Sequence, residues 1–287
     1  MPEPYRNIYS WVWPAAVLRR LQRILVLTTA YTAAVYFLYP SDHDMQGGWL
    51  AATSLINSLV LGALVGFRTK AAYDRWWEGR CLWGELTNHS RNLCLKAVRL
   101  ADPPAADRRV LFDLVAGFPF ALMRHLREGV KLQEVPGFET DAATPAHVPA
   151  ELAGRVLALI RRWKAEGRID GFGQLALDPH ATAYMNVCGA CEKVRNTPLP
   201  GTFLALLRHG LLFSFLLLPW HLVHVLGAWA MLVQAVIVYF LLGIELTAEE
   251  VEQPFAYDPD DLPLEQFCAT VRTNAAEILG VGASGAA

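Results

Sequence analysis

Apolar residues in this chain gather into four runs arranged as two pairs. The first runs from Ile24 to Tyr39 and stops at Pro40. With the flanking Leu21 it just reaches the ~17–25 residues a helix needs to cross a bilayer. Eight residues, Ser41 to Gly48, separate it from the second run, Trp49 to Phe67. The other pair is Thr202 to Leu218 and Val223 to Gly243. The Pro219-Trp220-His221 interruption predicts a helical hairpin turn there.

Between the pairs lies a long polar stretch, Arg68 to Pro200, that is patterned rather than linker-like. Tyr73 to Leu100 lacks proline and places Trp76, Trp77, Leu82, Trp83, Leu86 and Leu93 at helical spacings. Asp102-Pro103-Pro104 stops that helix. Ala106 to Leu126, Ala150 to Glu166 and Ala181 to Arg195 read as three further helices, with a loop from Pro136 to Pro149. No strand alternation of useful length occurs, so the fold class is all-α. The expected organisation is an N-terminal amphipathic segment (1–20), a first transmembrane pair (21–67), a helical cytoplasmic domain (68–200), a second transmembrane pair (201–243) and a C-terminal cytoplasmic segment (244–287) whose tail after Gly280 is expected to be disordered.

Lysine and arginine in short flanks orient such spans. Arg6, Arg19, Arg20 and Arg23 precede the first run, and Arg68, Lys70, Arg75 and Arg80 follow the second. The two intervening turns carry none. Both termini and the large insertion are therefore expected in the cytoplasm. Arg208, inside the third run, is the exception: either that span starts later, or Arg208 snorkels or pairs at the cytoplasmic end.

Composition agrees with a chain that is part membrane and part water-facing: 54% of residues are hydrophobic and 18% charged, against roughly a quarter charged in soluble domains. A net charge of -2 gives no basic field for a nucleic-acid partner. No secretory signal is visible at the start. The five cysteines, Cys81, Cys94, Cys188, Cys191 and Cys268, are odd in number and read as reduced thiols. Cys188 and Cys191 form a lone CxxC, for which no histidine lies at a convincing zinc spacing along the chain. His221 and His224 read as interfacial histidines. No phosphate loop, catalytic triad or carboxylate pair is present, which argues against an enzyme.

Three blocks are unusual. One is Gly66-Phe67-Arg68…Tyr73-Asp74-Arg75-Trp76-Trp77-Glu78-Gly79-Arg80. An interfacial aromatic belt accounts for one tryptophan and the basic residues, but not for the whole block. The others are Asn196-Thr197-Pro198-Leu199-Pro200 and the acidic stretch from Gln253-Pro254-Phe255 to Asp260-Asp261. With these blocks in this order, nearly the whole chain resembles the bestrophin family, especially its bacterial members.

The resemblance implies a homopentamer around a central pore in the bacterial inner membrane, passing small ions passively. Its apolar neck would fall on Leu59, Ala63 and Phe67, which share one helix face at i, i+4, i+8. Ala63 is smaller than the residue family members often carry. Gly62 and Gly66 flank the stripe and would allow close helix packing. Leu199 would form a second constriction, at the cytoplasmic mouth, between two prolines. The calcium clasp of the animal members would fall on Gln253, Asp258 and Asp261, although Tyr257 and Pro259 interrupt its acidic run and Gln253 replaces an asparagine. Animal bestrophins conduct anions and some bacterial relatives favour monovalent cations such as sodium. No charged ring lines the second run here, so the choice stays open, with the family majority pointing to chloride and other anions. A secondary transporter would carry repeats or broken helices, and neither is seen. A non-conducting membrane scaffold is the remaining rival.

Overall fold

The computed structural model describes residues 15–38, 48–258 and 260–282. The expected N-terminal segment up to residue 14, most of the first turn, Pro259 and the tail from residue 283 lie outside them. Among the described residues the regular structure is entirely helical: α1 Ala15–Leu38, α2 Gly48–Lys96, α3 Ala105–Arg127, α4 Val148–Ala165, α5 Gly171–Asn196, α6 Gly201–Leu226, α7 Ala230–Val251 and α8 Leu264–Leu279. The chain divides into two compact units, Met1–Tyr73 with Leu199–Glu252 and Asp74–Pro198 with Gln253–Ala287. The apolar unit thus reaches Glu252, beyond the expected limit at residue 243.

In the first unit α1 packs against α6 and α7, and α6 against α7. Three helical stretches are long and apolar enough to cross a membrane: Leu18–Leu38, Leu55–Ala101 and Gly201–Val251. The last holds α6 and α7 joined at a 3-10 turn, Gly227–Trp229. That turn corrects the expected hairpin at Pro219–His221. α6 runs straight through Pro219, which is buried, and ends where Gly227 takes φ +56°. A proline removes one backbone donor, which membrane helices tolerate when packed. The positive φ of the real turn is what glycine supplies at little cost. Large apolar side chains such as Leu27, Phe37, Phe213 and Leu232 lie exposed around this unit, as a lipid-facing surface requires.

The second departure concerns α2. The run to Phe67 and the helix expected from Tyr73 are one continuous helix of 49 residues. Polarity changes at Arg68, but nothing there removes a backbone hydrogen bond. Glycine within a helix costs only ~1 kcal/mol, and no proline intervenes. α2 ends in a π-helical turn, Ala97–Ala101, followed by Asp102 at φ +38° and two prolines.

The second unit is built on a core of Trp83, Leu86, Leu93, Phe118, Leu122, Trp163 and Tyr184. Two of its buried polar tips are satisfied: Trp163 Nε1 donates to Asp107 Oδ2 at 2.7 Å, and Tyr184 to Ser90 Oγ at 3.0 Å, whereas the Trp83 Nε1 is buried without a partner among the described residues. α5 starts at Gly171 rather than Ala181, because Asp170 accepts from the Gly173 N–H at 2.7 Å and caps it. α8 was not anticipated. It buries Leu264, Val271, Ala275 and Leu279, and packs on α3.

Candidate functional site

α2 presents two stripes in the first unit. Leu61, Val65, Arg68 and Ala72 are buried within the protomer. Leu59, Ala63 and Phe67 face away, with Leu59 74% and Phe67 67% exposed. The protomer therefore leaves this apolar stripe uncovered. Gly62 and Gly66 have open space beside them, so the close packing they permit is not used within the protomer.

The rotation of α2 is pinned by the residue after Phe67. Arg68, 1% exposed, points Nε to Glu245 Oε2 at 3.4 Å and Nη2 to Glu252 Oε2 at 2.8 Å. One residue is ~100° of helix, so holding Arg68 inward keeps Phe67 outward. The pairs continue outward: Arg208 reaches Glu245 at 3.9 Å and Glu249 at 3.7 Å, and Arg20 reaches Glu249 at 3.4 Å. Arg208 is thus paired, one of its expected alternatives. Glu252 uses its other oxygen to accept the Leu199 N–H at 3.0 Å. One carboxylate therefore joins the arginine beside Phe67 to the backbone of Leu199. Sequence reading missed this link, because its partners, two charged side chains and one backbone N–H, come from three separate segments.

The three unusual blocks meet in the second unit. Arg75 donates to the carbonyls of Val194, at 2.6 Å, and Thr197. Trp76 Nε1 donates to the Asp260 carbonyl at 3.2 Å. A side chain at Gly79 would meet Phe255 and Leu262 at 3.1 Å. The block after Arg68 is thus a docking strip for the other two.

The Gln253–Asp261 loop offers calcium a thin donor set. The Asp261 carboxyl turns back on the loop, accepting the Asp258 N–H at 2.7 Å, with Oδ1 buried and unpaired. Asp258 and Gln253 are exposed. Calcium takes six to eight oxygens, and these residues do not assemble that set. Arg127 instead stands by the loop, 4.2 Å over the Tyr257 ring and bonded to the Phe255 carbonyl at 2.9 Å, while Tyr257 bonds Glu128.

Burial, helped by Asp258 and Asp260, pushes the Asp261 carboxyl up to about 6, against the pull of the Asp258 N–H and Arg127. Its folded pKa exceeds the unfolded value of ~3.9. The resulting stabilisation is full below that value and lost as pH rises through about 6. Asp261→Asn, which keeps an acceptor for Asp258, should therefore raise thermal stability at pH 7 by about 1 kcal/mol after solvent screening. At pH 4 it should change little. An equal shift at both pH values would overturn this account.

The comparisons with known proteins agree with this architecture. The sequence profile of the bacterial/fungal bestrophin proteins matches residues 5–277. A voltage-dependent anion channel-forming protein of Synechocystis sp. is 31% identical over 294 aligned positions, covering 96% of this chain and 94% of the relative. A protein of the same description from Nostoc sp. is 32% identical, covering 77% and 75%. Among solved structures, a point variant of a bacterial bestrophin homologue from Klebsiella pneumoniae superposes with a TM-score of 0.85 at 23% identity, covering 93% of this chain and all of that one. With a profile match across nearly its full length, the chain is a membrane protein of the bacterial and fungal bestrophin family.

Proposed function

We propose that the protein is a homopentameric, four-span anion channel of the inner membrane, with both termini and the large insertion in the cytoplasm. The observation that carries this reading is the uncovered Leu59–Ala63–Phe67 stripe on a helix whose opposite face is locked by Arg68. In a five-fold ring the three residues become stacked apolar rings. Gly62 and Gly66 then let neighbouring α2 helices approach closely. Such a neck offers no groups to replace an ion's water; it admits ions when it wets and excludes them when it dries. Leu199, half-buried and held by Glu252 between Pro198 and Pro200, forms the second constriction. Anion preference is supported by the descriptions of the relatives.

The deciding experiment is purified protein in a planar bilayer under a salt gradient. A reversal potential near the chloride equilibrium value is expected. One near the cation value replaces this reading with a sodium-type channel of the same fold, and absence of any current favours the scaffold. Calcium plays no part, so currents should be equal with calcium and with a chelator. A calcium-dependent current would restore the clasp at Gln253, Asp258 and Asp261. Light scattering in detergent should give five chains of 31.8 kDa; a monomer or dimer would sink the ring.

A further inference from the structure

The second unit holds a cluster that conduction does not use. His125 lies in the last turn of α3, His147 caps α4, and Glu192 sits near the end of α5. Nε2 of His125 and of His147 lie 2.7 and 3.0 Å from the same oxygen, Glu192 Oε1. The ligating atoms of all three fall within 4.8 Å of one another. One turn earlier on α5, the buried Cys188 places Sγ 3.8 Å from that oxygen. Burial opposes a charge on Glu192, but the hydrogen bonds from His147 and His125 outweigh it and hold its carboxyl below the usual range. The Cys188–Cys191 pair lacked histidine partners along the sequence; folding brings two of them from elsewhere in the chain to Glu192, one helical turn along from Cys188.

We propose that His125, His147, Glu192 and Cys188 form a binding site for one zinc-class transition-metal ion per chain, clipping α3, α4 and α5 together. Two imidazoles, a carboxylate and a thiolate are a four-donor set of the kind zinc takes tetrahedrally, whereas calcium and magnesium prefer oxygen alone. With metal–nitrogen and metal–oxygen bonds of ~2.0–2.1 Å, tetrahedral ligands stand about 3.3 Å apart. The imidazoles are slightly closer to Glu192 than that and open by a few tenths of an ångström to take the ion, while Cys188, outside the 4.8 Å cluster, swings its Sγ inward to supply the fourth donor.

Protons must move as the metal enters. His147 Nδ1 accepts the Ala150 N–H at 3.1 Å, so in the metal-free protein its Nε2 carries the ring proton and donates to Glu192. Metal on Nε2 transfers that proton to Nδ1 through solvent and gives up the capping bond, and His125, whose Nε2 also donates to Glu192, moves its proton to Nδ1 in the same way. Metal affinity exceeds one such cap by orders of magnitude in equilibrium constant. The Cys188 thiol, which burial pushes up to about 12, releases its proton to water as the sulfur–metal bond forms.

The test uses the full chain in detergent, without a histidine tag, stripped with a chelator and titrated with zinc alone. One zinc per chain is expected, bound at least about tenfold more weakly in Glu192→Gln and in His147→Ala. Cobalt in place of zinc should give the strong visible bands of four-coordinate cobalt, with a sulfur charge-transfer band that Cys188→Ser removes. The site is overturned if the stripped wild-type chain takes up no stoichiometric zinc. It is equally overturned if cobalt on the wild-type chain shows only weak six-coordinate bands, a readout that does not depend on any variant folding. These measurements do not involve ion flux, so they stand apart from the channel reading.

Discussion

Phe67→Ala should increase ion flux, and Ala63→Phe should reduce it, each on the order of tenfold, which corresponds to ~1.4 kcal/mol of barrier. An apolar constriction resists ions because it resists wetting, so its barrier follows the apolar bulk of its narrowest ring. Phe67 is the largest of the three residues proposed for the neck and Ala63 the smallest. Both are exposed, Phe67 by 67%, so neither change opens a cavity in the core of the chain. Currents should be compared at matched protein density, with pentamer content measured alongside. If Ala63→Phe conducts like the parent, or Phe67→Ala dissociates the ring, the pore lies on another face of α2.

Arg68→Ala should cost on the order of 3–5 kcal/mol, because it strands the Glu245 and Glu252 carboxylates in a buried site. Arg208 and Arg20 cannot take over, since both are more than half exposed and their pairs sit at the screened end of the network. Folded yield and melting temperature in detergent should fall together. A triple replacement, Arg68→Met with Glu245→Gln and Glu252→Gln, should recover much of the loss, because no uncompensated charge remains. Glu252→Gln also keeps an acceptor for the Leu199 N–H. An Arg68→Ala chain as stable as the parent would mean that water reaches these carboxylates in the assembled protein.

In the apolar unit, the same network predicts how Leu199 behaves. Leu199 is held through its backbone, so Leu199→Ala should leave folding and assembly intact while raising conductance or changing ion preference. Unchanged currents in both respects would remove Leu199 from the aperture.

Clustering of apolar residues, the tryptophan spacing before Leu100 and the absence of strand alternation were enough to determine an all-helical chain with long apolar helices. The order of its three unusual blocks was enough to point to its family. These signals are local: a helix repeats every 3.6 residues, and a bilayer demands an uninterrupted apolar length. Local pattern misjudged the joints for a related reason. The polarity change at Arg68 marks a change of surroundings, not a broken hydrogen bond, so α2 continues through it. Pro219 marks a lost donor that packing tolerates, so α6 turns only at Gly227. Tertiary structure alone decided which face of α2 is covered, that Glu252 joins Arg68 to Leu199, and that His125, His147 and Cys188 meet around Glu192. Those partners come from separate helices, and no periodicity along one helix records what another brings to it.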